Sequence, residues 1–403
     1  MKKKHKLVLS VLVIQIGVIA AFTGINAPTI YANLLVGPYL SWSGSDGLQN
    51  LTSTTITVSW RTPTPSIGYV KYGVSPDLEF AMNETEETTQ HQILIEALSP
   101  NTTYFYKVGD GNYWTRVYTF KTLETDPEDV KFCLWSDTQP PGSQYRRVFE
   151  QMNKREMDFW VQSGDLVSTG GSMDQWESYL RTIRPLSSQV AFMPVSGNHE
   201  YYGEPSDQNV NFQEVFALPG SESTYGFIVD NVLFIALNTQ ESSLWSDGHA
   251  VKPEDWAWAN QTLFENYLNV DWIILYCHYP PYTSSWVSQP VYDDIVPLAE
   301  KYDVDAVFTG HIHNYERFDV PNGQTLNSSN ISYWVMGGGG GNLGSLRDEQ
   351  DPFSQVYSSQ YHYLHTTIND TAFHIDSWGV DDDQIFDSWF LTTKDRSGLS
   401  SYW

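Results

Sequence analysis

The chain has 403 residues, of which 48 are acidic and 22 are basic, giving a formal net charge of −26 at pH 7. This acidic excess argues against long-range attraction to nucleic acid or to anionic lipid, so neither is an expected partner. Because the chain is longer than one hydrophobic core normally organises, we expect two folded units.

The first 32 residues differ in composition from the rest of the chain. A cationic stretch at residues 2–6 precedes the apolar run from Leu7 to Phe22, which is the arrangement of an export signal, and we predict cleavage after Ala32. The alternative is an uncleaved membrane anchor, since the 16 residues of the run fall just short of a bilayer span. The remainder would then be secreted, with no stable membrane span after processing, or anchored at the outer face of the membrane. Seven Asn-x-Ser/Thr sequons agree weakly with export: Asn50, Asn83, Asn101, Asn260, Asn327, Asn330 and Asn369.

Residues 33–125 consist of short alternating runs separated by turn residues. In the run from Ile56 to Trp60, apolar and polar side chains alternate, and similar runs follow, with Ser-Pro-Asp and Pro-Asn breaks between some of them. This spacing predicts a small all-β sandwich. The segment contains no cluster of metal-binding or nucleophilic residues, which indicates a packing or positioning role.

Residues 126–392 alternate strands with amphipathic helices, the pattern of a mixed α/β (α+β) layer structure, and residues 393–403 form a C-terminal tail. A helix is predicted at 143–154. Five predicted strands each end in a polar turn: 130–136, 157–163, 190–196, 272–277 and 304–309. Because such sheets carry their ligand groups on loops at the carboxyl ends of strands, we expect these turns to meet at one rim.

The side chains in these turns are of the types that bind metal ions. They are two carboxylates, one amide and three imidazoles, from Asp137, Asp165, Asn198, His278, His311 and His313. Singly, each could be an ordinary turn residue, but together they favour two neighbouring hard or borderline cations. A two-metal site clamps an ester phosphate and activates the water that attacks phosphorus, so no protein nucleophile is required. This chemistry fits a sequence without a persuasive Ser-His-Asp signature.

Five motifs in chain order carry a resemblance to a known superfamily. They are Ser-Asp-Thr-Gln at 136–139, Gly-Asp-Leu-Val at 164–167, Gly-Asn-His-Glu at 197–200, Leu-Tyr-Cys-His at 275–278 and Gly-His-Ile-His at 310–313. The set resembles the calcineurin-like metallophosphoesterases. The run Gly-His-Ile-His-Asn-Tyr-Glu-Arg and the β-rich segment from Leu98 to Gly109 more narrowly resemble the purple acid phosphatases, over most of residues 36–392. The resemblance implies an N-terminal fibronectin-III-like β-sandwich followed by a four-layer αββα metallophosphoesterase sandwich, and a secreted phosphatase that acts on small phosphomonoesters.

The resemblance also implies a role for each site residue. Asp165 would bridge two metal ions, which would be Fe, Zn or Mn. Asp137 and His313 would complete the protein ligands of one ion, and Asn198, His278 and His311 would hold the other. His199 would contact the phosphate and protonate the leaving alkoxide, a task suited to an imidazole. Glu200 would orient His199 or its loop.

Two positions depart from the family pattern. The purple enzymes place a metal-binding tyrosine three residues after the bridging aspartate, where this chain has Ser168. Many other metallophosphoesterases place a histidine two residues after the first aspartate, where this chain has Gln139. We therefore expect Gln139 to supply an amide oxygen or water to fill the position, and the protein to hold two divalent ions and not to be purple.

The departures leave two other functions open. A phosphodiesterase or nucleotide hydrolase could use the same site, because the choice of ester depends on loops that the motifs do not describe. The non-enzymatic alternative is a cell-surface binding protein with a degenerate metal site.

Two further features have structural interpretations. The glycine run at 337–341 could cradle phosphate, but no Lys-Ser/Thr follows it, which favours a tight turn between sheet and tail. The 15 Trp and 25 Tyr residues could bind carbohydrate, but their alternation on strands favours core packing.

Overall fold

The structure is a computed structural model. It describes residues 35–44, 48, 51–203, 209–239, 250–285, 288–323, 330–345, 349–397 and 399. The predicted export segment, the sequons at Asn50 and Asn327 and the end of the predicted tail lie outside the described residues. Within the described part of the chain, no helix is both long and apolar enough to cross a membrane.

The N-terminal part is a β-sandwich, as predicted. Its elements are β1 (Val36–Ser41), α1 (Leu51–Thr54), β2 (Ile56–Ser66), β3 (Tyr69–Gly73), β4 (Phe80–Asn83), β5 (Thr88–Ile95), β6 (Thr103–Gly109) and β7 (Tyr118–Lys121). One sheet has the order β1-β2-β5 and the other β4-β3-β6-β7, and all pairs are antiparallel. The alternation in sequence follows from burial, because Tyr104, Tyr106 and Val108 of β6 face the core while the residues between them are partly exposed.

The sandwich packs closely on the rest of the chain through β1. Tyr39 donates its hydroxyl hydrogen to the Val215 carbonyl at 2.7 Å, and Ser41 donates to the Ala217 carbonyl at 2.6 Å. The Trp42 ring lies 5.4 Å from that of Phe159. The predicted boundary near residue 125 falls in the connection between β7 and the next strand and stays a prediction.

The larger part contains two mixed sheets. Its strands are β8 (Val130–Trp135), β9 (Phe159–Ser163), β10 (Ala191–Val195), β11 (Tyr225–Val229), β12 (Val232–Leu237), β13 (Trp272–Cys277), β14 (Ala306–Thr309), β15 (Tyr315–Pro321), β16 (Asn330–Met336), β17 (Ser354–Ser358), β18 (His362–Ile368), β19 (Ala372–Gly379) and β20 (Ile385–Thr392). Its helices are α2 (Gln144–Met152), α3 (Met173–Ser187), α4 (Val210–Val215), α5 (Pro253–Asn266) and α6 (Gln289–Lys301). The strand orders are β10-β9-β8-β18-β19-β20 and β11-β12-β13-β14-β16-β15-β17.

The two sheets face each other across an aromatic core, and helices cover their outer faces. Phe132 and Phe159 of the first sheet contact Phe234 of the second, with ring centroids 5.2 Å apart in both pairs. On the opposite face of β9, Trp160 packs near Phe149 of α2, with ring centroids 6.4 Å apart. A separate apolar cluster on the outer face of the second sheet includes Leu263 of α5. These contacts confirm the mixed α/β class and the arrangement of two sheets between helices.

The topology brings the predicted polar turns together. Strands β8, β9 and β10 are parallel neighbours in one sheet, and β12, β13, β14 and β16 are parallel neighbours in the other. Their carboxyl ends therefore carry the turns to the same edge of the double layer. The predicted strand at 272–277 matches β13, and the other four strands are one or two residues shorter than predicted.

Candidate metal centre

Several side chains at this edge sit on residues with left-handed backbone. Asp137, Asp165 and His311 have φ values of 59°, 53° and 66°. Non-glycine residues in this region are strained, and such strain persists where the surrounding structure enforces it. The glycines beside them allow a close approach: a Cβ on Gly197 would lie 2.6 Å from the Asp165 nitrogen. Tight packing of the turns therefore fixes where the aspartates point.

One group of donors surrounds Asn198. Its Oδ1 lies 3.0 Å from His278 Nε2 and 3.0 Å from His311 Nδ1. His278 Nε2 is also 3.2 Å from Asp165 Oδ1. These four side chains thus present one amide oxygen, two imidazole nitrogens and one carboxylate oxygen to a common point, which suits a divalent cation.

A second group of donors surrounds Asp137. His313 Nε2 lies 3.4 Å from Asp137 Oδ1, and the backbone N–H of His311 donates to Asp137 Oδ2 at 2.9 Å. Gln139 Nε2 donates to Asp165 Oδ2 at 2.8 Å, so its amide nitrogen faces the Asp165 carboxylate. Donor atoms of Asp137, Asp165 and His278 all lie within 4.8 Å of one another. The structure therefore brings together all seven residues predicted from the sequence as ligands.

The orientation of the imidazoles fits metal binding. His278 Nδ1 lies 2.8 Å from the Ser163 carbonyl, and His313 Nδ1 lies 2.7 Å from the Asn342 carbonyl. A backbone carbonyl accepts only an N–H, so in each ring Nδ1 carries hydrogen and Nε2 is the nitrogen that could bind a metal ion in place of its proton. Carbonyls that orient ligating histidines in this way are usual around metal sites.

The electrostatics of the centre also favour cations. Burial raises the pKa of Asp165, but the charges of His278 and His199 outweigh burial and hold that pKa below its usual range. Burial lowers the pKa of His278 and His313, but the neighbouring carboxylates of Asp165 and Asp137, respectively, raise each to about 9. Among the described residues, the buried Asp137 Oδ1 has no hydrogen-bond partner. Two fully buried carboxylates demand compensating positive charge, and the donor set present could hold it as metal ions.

His199 stands at the open side of the centre. Its Nδ1 lies 2.8 Å from the Ser168 carbonyl, and its Nε2 is 3.8 Å from Asp165 Oδ2. The side chain is 26% exposed, whereas that of His278 is fully buried, so a ligand can reach His199. The Ser168 hydroxyl donates to the Pro140 carbonyl at 2.7 Å and is therefore engaged away from the donor groups.

Glu200 joins the turn after β9 to the turn after β10 through hydrogen bonds. Its Oε2 accepts from the backbone N–H groups of Asp165 at 2.9 Å and Gly197 at 2.6 Å, and its Oε1 accepts from those of Leu166 and Val167. Burial, followed by the charge of Asp165, raises the pKa of Glu200. All four partners are donors, however, and a protonated carboxyl would place its hydrogen against one of them. The geometry therefore holds the ionised form, and an orienting role of Glu200 would act through the backbone of both turns.

Three features of the centre could not be recognised from the motifs. Tyr202 accepts a hydrogen bond from Asn198 Nδ2 at 2.9 Å, and Tyr279 packs on the His311 ring at 4.1 Å. Gly341 approaches His313 closely, and its N–H donates to the Asp137 carbonyl, so the glycine run is a wall of the centre and not merely a turn. The spacing of four residues between Asn198 and Tyr202 was the one available signal.

Two family models match parts of this chain. Residues 130–315 match the calcineurin-like phosphoesterase family model, and residues 45–122 match that of the purple acid phosphatase N-terminal domain. Probable purple acid phosphatase 20 of Arabidopsis thaliana is 26% identical over 326 residues, which cover 74% of each protein. Acid phosphatase type 7 of Mus musculus is 24% identical over 398 residues, covering 86% of this chain and 87% of the mouse protein.

A relative named as inactive and a solved structure are also similar to this chain. Probable inactive purple acid phosphatase 24 of Arabidopsis thaliana is 24% identical over 373 residues, covering 77% of this chain and 58% of that protein. A purple acid phosphatase from yellow lupin (Lupinus luteus) seeds has the same fold, with a TM-score of 0.75 and 20% identity over 91% of this chain and 75% of that one. The chain therefore contains a calcineurin-like phosphoesterase domain and a purple acid phosphatase N-terminal domain, and it is similar to purple acid phosphatases.

Proposed function

We propose that this protein hydrolyses phosphomonoesters to orthophosphate at a dinuclear centre bridged by Asp165. The observation that carries the proposal is the position of the Asp165 carboxylate, whose Oδ1 is 3.2 Å from His278 and whose Oδ2 faces Gln139 and His199. A carboxylate with donor groups on both sides can serve two cations at once.

The residues divide into two ligand sets around that carboxylate. Asp137 and His313 would hold one ion, with Gln139 beside it, and Asn198, His278 and His311 would hold the other. When bound, the two cations supply the positive charge that offsets the ester phosphate and activates water for attack on phosphorus.

His199 is the proposed acid. Its Nδ1 hydrogen is engaged by the Ser168 carbonyl, which leaves Nε2 as the atom that exchanges a proton with the substrate. As the bond from phosphorus to the ester oxygen breaks, the proton on Nε2 would pass to the departing alkoxide, and a water would later restore it. The Ser168 carbonyl, which holds the ring through Nδ1, positions this proton without taking part in the transfer.

We also propose that both ions are divalent, drawn from Fe, Zn and Mn. The Ser168 hydroxyl donates to Pro140 and offers no phenolate, and the further side chain that we expect to complete this set is the neutral amide of Gln139. Hard trivalent ions need more anionic oxygen than this set offers. A visible iron-phenolate absorption band in the purified protein would overturn this assignment.

A binding protein with a degenerate centre is the second candidate. It is favoured by relatives whose names call them inactive and by the Gln139 amide, which turns its nitrogen to Asp165. A third reading, hydrolysis of diesters or nucleotides, uses the same residues and differs only in the ester accepted.

One experiment separates these candidates. The purified chain would be given a chromogenic phosphomonoester and the corresponding diester across pH, with each metal and with chelator. We expect faster cleavage of the monoester, lost with chelator; a preference for the diester would support the third reading, and no cleavage with any metal would support a binding protein. Asp165→Asn should lose metal, His199→Ala should keep metal and lose rate, and the exposed His374→Ala should change neither.

Export of the protein is proposed on the sequence alone. The cationic and apolar residues at 2–22 support it. N-terminal sequencing of protein recovered from the culture medium would test both export and the cut after Ala32.

A further inference from the structure

Tyr202 is an exposed aromatic residue held in a fixed position beside the candidate centre. Its side chain is 50% exposed, and its ring lies 4.7 Å from that of His199. Its backbone is anchored, because the Tyr202 carbonyl accepts from Gly171 N–H at 2.8 Å and its N–H donates to the His199 carbonyl at 3.2 Å. An exposed large ring on a fixed backbone next to a reactive group suggests a contact with a ligand.

The hydroxyl of Tyr202 has a defined polarity. It accepts a hydrogen bond from Asn198 Nδ2 at 2.9 Å, which turns Asn198 Oδ1 towards His278 and His311. An amide N–H is only a donor, so the phenolic oxygen uses a lone pair there and its own hydrogen points elsewhere. Among the residues that the structure describes, Asn198 is the one hydrogen-bond partner of this hydroxyl.

The position of the Tyr202 O–H group indicates which ligand it would meet. Asn198 is a proposed metal ligand and His199 is the proposed acid, so the phenol lies on the side from which a phosphate ester approaches both. A phosphate carries several anionic oxygens, of which the two cations and His199 engage only some. A neutral O–H donor at the rim can bind a further oxygen without adding charge to the centre.

We infer that Tyr202 is a substrate-binding residue, whose O–H donates to a phosphoryl oxygen of the bound ester while its oxygen keeps the Asn198 amide in the ligating orientation. This inference rests on the proposed function, since it assumes a phosphate bound at the same centre. It assigns the aromatic residue four positions after Asn198 a contact with the reacting group.

The test uses the metal-loaded full chain with orthophosphate as the probe. Tyr202→Phe keeps the ring and removes the hydroxyl, and Tyr201→Phe is the matched control, because the neighbouring Tyr201 hydroxyl accepts from Asn238 Nδ2 at 2.8 Å. We expect Tyr202→Phe to raise the KM for a chromogenic monoester and the inhibition constant of orthophosphate about tenfold each, the effect of one hydrogen bond to a charged acceptor. Metal content at saturating metal should stay at the wild-type value, and Tyr201→Phe should leave all three quantities unchanged.

Two results would overturn the inference. Unchanged KM and inhibition constant in Tyr202→Phe would show that the hydroxyl does not touch the phosphate. A loss of metal affinity with an unchanged inhibition constant at saturating metal would leave Tyr202 only the role of positioning Asn198. If the wild type hydrolyses no ester, calorimetry of orthophosphate binding to the metal-loaded variants still tests Tyr202, so that failure is distinguishable from failure of the proposed function.

Discussion

Replacing Glu200 by glutamine exchanges one oxygen for an NH2 group and should loosen the turns that carry the centre. In the wild type, each carboxylate oxygen accepts two backbone N–H groups, at 2.6–2.9 Å for Oε2 and at 2.9 and 3.2 Å for Oε1. Glutamine has one oxygen and one NH2 group, so two buried N–H donors would face another donor. Each buried unsatisfied group costs about 1–3 kcal/mol, which puts the loss of unfolding free energy at about 2–6 kcal/mol.

The cost falls on the segments that carry Asp165 and Asn198, so metal affinity should fall along with stability. Urea unfolding of the metal-free and metal-loaded protein, with metal analysis of the folded fraction, measures both quantities. Glu177→Gln is the control, because Glu177 is 39% exposed and its nearest ion pair, with Arg181, is 3.8 Å long, so its loss should change stability by less than about 1 kcal/mol. If Glu200→Gln unfolds at the wild-type urea concentration and retains wild-type metal content, the carboxylate does not hold these turns.

Two further predictions concern stability at residues outside the proposed ligand set. Burial lowers the pKa of His362 from 6.5 to about 4, so its neutral form stabilises the fold above pH 6.5 and this contribution, on the order of 3 kcal/mol, is lost as the pH falls through 4. Unfolding curves at several pH values should therefore show less acid sensitivity in His362→Gln than in the wild type or in the exposed control His374→Gln, and parallel profiles would contradict the assignment. Arg396, which is 4% exposed and pairs with the fully buried Asp305, attaches the chain end to the second sheet. Arg396→Met should cost at most about 3–5 kcal/mol in urea unfolding, because the buried Asp305 carboxylate would keep only the longer pair with Lys394, at 3.6 Å, among the described residues. Arg147→Met, which removes the exposed pair with Asp381, should cost less than about 1 kcal/mol, and equal losses would remove the distinction.

The sequence predicted which turns meet at one edge because the signals for them are local. Each apolar run that ends in a polar turn marks a strand and its loop, as at Trp135 before Asp137 and Cys277 before His278, and sheet topology then forces the loops together. The strand ends were less accurate, because the limits of pairing depend on neighbouring strands. The first residues of the predicted strand at 157–163, for example, lie outside β9.

The sequence could not predict contacts that depend on distances between turns. The four N–H groups around Glu200 come from residues 33–35 positions away or from its own turn, and no pattern in sequence shows which backbone groups a carboxylate will meet. The environment of Gln139 was equally hidden, since only the fold places its amide nitrogen on Asp165. Left-handed backbone at Asp137, Asp165 and His311 is likewise set by packing, because these residue types adopt it more readily than most but still uncommonly.

The glycine run offers a test of whether backbone packing sets the geometry of one ligand set. Gly341 N–H donates to the Asp137 carbonyl at 2.8 Å, and a Cβ at this position would lie 2.6 Å from His313 Cε1 and 3.1 Å from Gln139 Oε1. The φ of Gly341 is one that alanine can adopt, so Gly341→Ala should act through this contact alone and push the His313 ring out of line with Asp137.

We expect Gly341→Ala to lower the affinity for one of the two ions by about 10–100-fold, which is the usual effect of a change behind a ligand. The affinity for the other ion should stay unchanged. Titration against a chromophoric chelator would resolve the two affinities. Gly344→Ala is the matched control, because its Cβ would lie 3.5 Å from the His313 carbonyl oxygen, an ordinary contact. Equal weakening of both ions would mean that the centre responds as one unit through Asp165, and unchanged affinities would mean that His313 is not a ligand, since its displacement would then be without effect.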